Sequence, residues 1–515
     1  MFIPNCITDF LRHAVDQFPD KEAIITATEK LTWYEIQERS DDLACMLLSQ
    51  NIRRGDRVIL CLDNCVETVL LFWAILKIKA VASIIHPSTP VARLNWILQD
   101  AGATALFIRN TENQIIAYFR DNVDKHIIVP TTQTFLLKNL LRDSDKKLSY
   151  PNGLDLDLAC IIYTSGSTGM PKGVMLTQHN MFAAASSISN YLHYQTSDVI
   201  ISALPLSFDY GLYQIILSTI VGATVILEKD FTWPLQFLKK ISTLQATIFP
   251  AVATQLAILA NHQDRIEQSF ESIRMLTNTG AALFPQQIRF ASTLFPNAKI
   301  FSMYGLTECK RCTYLPPEEL FQKTDSVGKA IPNTEIWIVD EFGTKLPPYQ
   351  EGQLVVRGST VMRGYWNNIS ETNKALREGP FPGEKVLYTG DYGYLDEQGY
   401  FYFRGRRDDT IKRYSEKVNL KSIEEVIRLF PGLREVHVID YPNETTGADI
   451  VAFVVSEGGH VSIDQMFLHC KSILPRSHWP SIIHLLAELP RSVNGKYDKA
   501  ALRVMYEKLC ASGAA

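Results

Sequence analysis

The sequence predicts an α/β and α+β protein in two parts: a large N-terminal domain of helix-covered sheets with a β-rich subdomain, then a small α+β C-terminal domain. Three observations predict it. At 515 residues and 46% hydrophobic content, the chain exceeds what one compact core holds. Short β-rich runs alternate with helical stretches over roughly the first four hundred residues, the pattern of parallel sheets covered by helices. Beyond about residue 408, a unit of roughly a hundred residues reads strand, helix, strand, strand, helix, enough for a core of its own.

Taken in order, helices are expected over residues 8–18, 33–48, 67–78 and 91–99, and buried strands over 58–61, 81–85, 104–108 and 126–129. Gly222 and Ala223 before residues 224–227 repeat the helix-turn-strand rhythm. From Gly343 short strands recur at 353–357, 386–388 and 400–404 between Gly and Pro turns. The expected division is 1–407, with the β-rich subdomain at about 335–407, and 408–515. Residues 422–429 and 463–472 read as the helices of the last part, and 436–441 and 450–455 as its strands. The charged run 404–409 has the composition of a hinge rather than of a flexible linker.

Composition narrows the function. Charged residues are 21% of the chain, and 51 basic against 55 acidic residues leave a net charge of −4. No long block of one sign appears, so nothing in the bulk charge points to nucleic acid or a membrane surface. The N-terminus lacks a basic region followed by an apolar run, so no secretory signal is expected. The most apolar stretch, residues 69–85, contains Lys77 and Lys79 and stops short of a membrane span. Nine scattered cysteines suit a reducing cytoplasm. Cys309 and Cys312 have CxxC spacing; a zinc site would need two more ligands, none is obvious, and the pair reads as chance spacing.

The densest chemical signal is residues 163–174, Y-T-S-G-S-T-G-M-P-K-G-V, which follow an apolar strand-like run at 158–162. Seven of the ten positions from Thr164 to Gly173 are Gly, Ser or Thr. Gly166, Gly169 and Gly173 let backbone N–H groups turn toward an anion. Thr164, Ser165, Ser167 and Thr168 add hydroxyls and Lys172 a positive charge, which together suit a polyphosphate. The spacing is not that of a P-loop.

This loop resembles the signature of the adenylate-forming superfamily, which includes acyl-CoA synthetases, firefly luciferases and the adenylation domains of nonribosomal peptide synthetases. Four further segments match in order: Tyr304-Gly305-Leu306-Thr307-Glu308, Thr389-Gly390-Asp391, the hinge segment from Gly405 to Lys412, and Pro490 to Lys496. The resemblance runs from about residue 10 to about residue 505. It implies an ATP- and magnesium-dependent enzyme that joins a carboxylic acid to AMP and passes the acyl group to a phosphopantetheine thiol, on CoA or a carrier protein. It implies that Thr164 and the loop take the phosphates, with Lys172 and Thr307 assisting, and that Glu308, which alone would read with Thr307 as a helix start, is the candidate magnesium ligand, since a hard cation takes carboxylate and phosphate oxygens together. Tyr304 would lie against adenine, with Asn278-Thr279-Gly280 at its edge. Asp391 would bind the ribose hydroxyls, with Phe403 and Arg406 nearby. Lys496 would be the catalytic cation, stabilising charge on the α-phosphorus and the departing pyrophosphate. The small domain would be mobile, turning about Asp408 between the two half-reactions. Lys412 and Ser415 would belong to the thiol step. Ser415 replaces the family's usual glycine, and Lys417 its frequent arginine.

For the acid pocket, Asp209 admits two readings: a partner for a substrate α-ammonium, as in amino-acid-activating relatives, or the cap of the helix it opens. By matching positions Tyr213, Thr277, Thr279, Met303, Arg311 and Cys312 would line the same pocket, a set too polar for a long fatty chain. The segment from Tyr304 to Glu319 resembles stand-alone ligases of bacterial biosynthetic clusters, both those loading an amino acid such as proline onto a carrier protein and exosortase-associated acyl-CoA ligases. The expected substrate is an amino acid and the expected partner a carrier protein acting in trans. The alternatives are an acyl-CoA synthetase for a small carboxylic acid and, from another class, a non-catalytic nucleotide-binding regulator.

Overall fold

A computed structural model describes residues 6–108, 127–130, 153–164, 171–280, 283, 285–406, 410–413, 416–443, 446–458, 461–491 and 497–511. The chain divides into two compact units, Met1–Ile336 with Val355–Tyr388 and Trp337–Leu354 with Thr389–Ala515.

Two helix-covered sheets build the first unit. In the seven-stranded sheet, Ile127–Pro130, Ala105–Ile108, Arg57–Cys61, Val81–Ile84 and Leu158–Thr164 run parallel, and Lys172–Thr177 and Gly364–Tyr365 close the edge antiparallel. In the nine-stranded sheet, the parallel core is Glu22–Ile25, Thr224–Leu227, Val199–Ser202, Ile248–Ala251, Met275–Asn278 and Lys299–Tyr304. Its parallel strands are apolar on both faces, as sheets covered by helices on both sides require.

Local sequence sets where helices begin. The Thr32 hydroxyl accepts from the Glu35 N–H, and the Glu35 carboxylate accepts from the Thr32 N–H, which fixes the start of Trp33–Ser49. Thr177 and Asn180 make the same reciprocal pair at the start of Gln178–Leu192. The apolar stretch with two lysines is the buried helix Val66–Lys77 and the core strand Val81–Ile84. Lys77 is buried at its end, its ammonium on the Ser40 hydroxyl at 2.7 Å and on Asp41. Burial lowers its pKa to about 8, against the pull of Asp41. Among the described residues no helix is long and apolar enough to cross a membrane.

The β-rich stretch forms antiparallel ladders. In the first unit Leu376–Glu378 pairs with the start of Lys385–Leu395. In the second unit the end of that same strand pairs with Phe401–Arg406. The second unit also holds Leu433–Asn443 and Gly447–Ser456, paired antiparallel, with Ile482–Leu485 parallel to the latter. Leu420–Arg428 and Ile463–Ile473 pack their apolar sides onto these strands around Ile423, Ile427, Val436, Val454 and Met466. Lys499–Ala511 contributes Leu502 and Tyr506 to a second cluster on the other face.

Glu424 is buried in this unit, with the Lys421 and Arg428 cations and the His437 ring around its carboxylate. Burial pushes its pKa up, and Lys421, His437 and Arg428 more than reverse that, so the group is held well below its ordinary 4.5.

Candidate active site

The glycine-rich segment joins two antiparallel neighbours, Leu158–Thr164 and Lys172–Thr177, so its ends are fixed by the sheet. Thr164 and Lys172 face each other in that ladder. Ser165, Gly166, Ser167, Thr168 and Gly169 lie outside the described residues. Lys172 pairs with the Glu371 carboxylate, and its ammonium lies 5.5 Å from the centre of the Tyr365 ring. The Tyr365 hydroxyl donates to Glu308 Oε1 at 2.7 Å. Lys172, Glu371, Tyr365 and Glu308 therefore form one connected group.

Several local features hold that group. Gly364–Tyr365 pairs with Lys172–Thr177, placing Tyr365 opposite Val174. The Asn368 side chain accepts from the Glu371 N–H at 3.0 Å and caps Ile369–Ala375. Hydrogen bonds from Lys172 and then Lys374 hold the Glu371 carboxyl below its usual range. The Glu308 carbonyl accepts from the Met362 N–H at 2.7 Å. Among the described residues no three His, Cys, Asp or Glu side chains cluster as a metal cage. Glu308 offers one carboxylate, which fits an ion that keeps most of its shell for phosphate and water.

Tyr304 ends the strand Lys299–Tyr304, and its carbonyl accepts from the Cys312 N–H at 2.9 Å. Gly305 is required there: a Cβ would lie 2.1 Å from the Lys310 carbonyl oxygen. Thr307 is half-buried two residues on. Asn278 ends the neighbouring strand, Thr279 is buried, and Gly280 turns with φ +86°.

The expected acid-pocket residues are all buried: Asp209, Tyr213, Thr277, Thr279, Met303, Arg311 and Cys312. Phe208 is the N-cap of Asp209–Val221 and Asp209 is its first helical residue, so Asp209 does not cap the helix. The reason is local: Gly211 and Leu212 already donate to the Phe208 carbonyl. Instead, Asp209 Oδ2 lies 3.6 Å from Lys310 Nζ, an ion pair too long for a hydrogen bond. A buried carboxylate needs a cation, and Lys310 stands beside Asp209 as one.

Around this pair the side chains interlock. Lys310 Nζ stands 5.1 Å from the Tyr213 ring centre, and the Arg311 guanidinium 4.8 Å from that of Tyr210. Tyr210 Oη bonds the Thr277 hydroxyl at 2.7 Å, and Arg311 Nη1 donates to the Lys310 carbonyl at 2.9 Å. Tyr191 Oη donates to Met303 Sδ at 2.9 Å. Lys310 Nζ and Arg311 Nε are buried without a hydrogen-bond partner. Burial lowers the Lys310 pKa, and Asp209 opposes that shift. This cluster of side chains thus buries two cations and one anion.

In the second unit, Asp391 and Arg406 lie opposite each other in the ladder, and Arg406 Nε donates to Asp391 Oδ1 at 2.8 Å. Asp391 is 2% exposed and follows Gly390, whose φ is +76°. Phe403 pairs with Gly393 in the same ladder. Lys412 lies opposite Lys417 in the ladder of Thr410–Arg413 and Glu416–Asn419. Asp408, Ser415 and Lys496 lie outside the described residues.

Lys310, Glu371 and Tyr365 were not legible as site residues. The one usable signal was indirect: a buried Asp209 requires a cation, and Lys310 is two residues past Glu308.

The family model of the AMP-binding enzyme matches residues 11–366, and that of the AMP-binding enzyme C-terminal domain matches residues 422–496. The chain is 28% identical to a long-chain-fatty-acid–CoA ligase of Bacillus subtilis, over 96% of this chain and 93% of that protein. The structure of MatB from Rhodopseudomonas palustris with ATP bound superposes with a TM-score of 0.88 at 25% identity, covering 98% of this chain and 99% of that one. The structure of VinN with L-aspartate superposes with a TM-score of 0.70 at 30% identity, covering 78% of this chain and 98% of that one. The chain belongs to the AMP-binding enzyme family and is an ATP-dependent, AMP-forming acid ligase.

Proposed function

We propose that this enzyme activates an amino acid, most plainly one with a second carboxylate, and loads it onto the phosphopantetheine thiol of a carrier protein. The observation that carries this reading is the buried charge set of the acid pocket: Asp209 against Lys310 and Arg311. A fatty chain has nothing to offer this set: Asp209 and Lys310 offset each other, and the buried Arg311 guanidinium would stay without an anion. An amino dicarboxylic acid compensates them. Its ammonium meets Asp209, and its distal carboxylate takes the unfilled donors of Arg311 and Lys310. VinN, solved with L-aspartate, supports the reading by its likeness to 78% of this chain.

In the first half-reaction the substrate carboxylate attacks the α-phosphorus of ATP, the bond to the leaving pyrophosphate breaks, and an acyl-adenylate forms. Thr164 to Gly169 would cradle the phosphates, and Lys172 would exchange Glu371 for a phosphate oxygen. Glu308 would hold magnesium, which neutralises charge on the phosphates when bound. Asp391, with Arg406, would accept the ribose hydroxyls, and Tyr304 and Asn278 to Gly280 would bound the adenine. Lys496 would stabilise charge in the transition state, and Asp408 would turn the small domain for the thiol step. Lys412 and Ser415 would face the incoming thiol. The nine free cysteines fit a reducing cytoplasm as its location.

A second reading has its own observation. Because Lys310 already neutralises Asp209, a small dicarboxylic acid without an amino group would bind Arg311 alone and pass to CoA. Pyrophosphate exchange into ATP across amino acids and their deaminated counterparts separates the two. Exchange with an amino acid supports the first, and exchange confined to amine-free acids replaces it with the second.

A further inference from the structure

The two thiols of Cys309 and Cys312 are fully buried, with their sulfurs 3.1 Å apart. The turn that brings them together is fixed from both sides. Cys309 N–H donates to the Leu306 carbonyl, and Cys312 N–H to the Tyr304 carbonyl. Lys310, between them, has φ +64°, a conformation most residues avoid. The two residues enclosed by the pair are Lys310 and Arg311, the cations of the acid pocket, and the residue just before it is Glu308.

We propose that Cys309 and Cys312 are a modification site: hydrogen peroxide converts them to a disulfide that switches the acid pocket. The sulfurs need to approach by only about 1 Å to reach the bond length of about 2.05 Å. Burial excludes bulky thiol oxidants and leaves a peroxide, little larger than water, as the oxidant class. One thiolate attacks a peroxide oxygen, the O–O bond breaks, and the released hydroxide takes a proton to become water. The second sulfur then displaces hydroxide from the sulfenic acid, the S–S bond forms, and a second water leaves. Two thiols and one peroxide give one disulfide and two waters; sulfur is oxidised and peroxide reduced. The new ring encloses Lys310 and Arg311 and moves both against Asp209. A displacement of about 1 Å at a binding group costs up to about a hundredfold in rate.

The test treats the full-length enzyme with hydrogen peroxide, alkylates free thiols, and maps peptides with a protease that spares Lys310 and Arg311. The expected product is a peptide in which Cys309 and Cys312 are unalkylated and together lighter by two hydrogens. The kcat/KM for the acid falls about tenfold or more, KM for ATP moves far less, and dithiothreitol restores both. Cys309→Ser keeps its activity without peroxide and loses the response, as does Cys312→Ala for whatever activity it has. Recovery of Cys309 and Cys312 as alkylated thiols or separate sulfinic acids, or an undiminished peroxide response in Cys309→Ser, overturns the proposal. Peptide mapping of the wild-type chain decides it even where a variant misfolds, and its result is independent of which acid the pocket takes.

Discussion

Lys310 Nζ lies 3.6 Å from Asp209 Oδ2, and both side chains are buried, Lys310 at 1% and Asp209 at 5% exposure. The pair joins the start of the helix Asp209–Val221 to the turn after Glu308, 101 positions apart in the chain. Removing one partner leaves the other charged and dry. Lys310→Met therefore costs about 3–5 kcal/mol in stability. The double variant Asp209→Asn, Lys310→Met costs less than the sum of the single changes, because each single variant orphans a charge. Thermal denaturation of the four proteins checks this, and additive losses would show that the two charges do not interact.

The same pair sets a pH dependence. Burial lowers the Lys310 pKa from 10.5 and Asp209 raises it, so Asp209→Asn lowers it further. A folded-state pKa below the unfolded one means the unfolded chain binds more protons between the two values, so stability rises with pH across that window. The stability deficit of Asp209→Asn is accordingly full at neutral pH and shrinks as pH climbs toward 10.5. Denaturant melts from neutral to alkaline pH measure it; a deficit that does not change would place the titration elsewhere.

How much of this was readable beforehand differs from place to place. The helices and parallel strands of the first unit follow from long apolar periodic runs, and Trp33–Ser49 starts where its capping pair demands. The sequence predicts only residues 386–388 of the strand Lys385–Leu395, because a glycine at 390 marks a turn between short strands. In the structure Gly390 takes φ +76° inside a strand that shifts register after Tyr392 and continues. Asp209 was legible as the opening of a helix and as a buried acid in need of a cation. Its partner was not, because no local pattern distinguishes Lys310 from a surface lysine. Its burial depends on a turn closed by contacts with Tyr304 and Leu306.

Lys172 and Glu371 give a prediction for nucleotide binding. If phosphate competes with Glu371 for the ammonium, Glu371→Gln lowers KM for ATP, by about fivefold, since an ion pair that keeps some contact with solvent contributes on the order of 1 kcal/mol. Lys172→Met raises it. Steady-state kinetics at fixed acid concentration separates them, and a rise in both variants would make Glu371 a scaffold for the loop instead of a competitor.

Glu424 in the second unit predicts an acid limit. Its folded pKa lies below the ordinary 4.5, so the stability it contributes is present above that value and is lost as pH falls toward the folded pKa. Glu424→Gln removes this contribution, lowering the stability of the unit at neutral pH by about 3 kcal/mol and flattening its acid response. Hydrogen exchange in Leu420–Arg428 and Leu433–Asn443 reports it, and an unchanged acid profile would exclude Glu424 as the titrating group.

Lys496 predicts a kinetic effect. Lys496→Ala reduces acid-dependent pyrophosphate exchange by ~100-fold or more, with thiol transfer from added acyl-adenylate moved far less. Equal exchange rates in variant and wild type would take Lys496 out of the adenylation step.

The most direct measurement is pyrophosphate exchange into ATP with matched acids that differ only in the amino group, aspartate and succinate first among them, in wild type and Asp209→Asn. The expected result is exchange with an amino acid, little with its deaminated partner, and a loss of about tenfold or more in kcat/KM for the amino acid in Asp209→Asn, the cost of an unpaired ammonium. Equal or better exchange with the amine-free acid, unaltered by Asp209→Asn, would contradict it and leave the Asp209–Lys310 pair a structural element of the pocket.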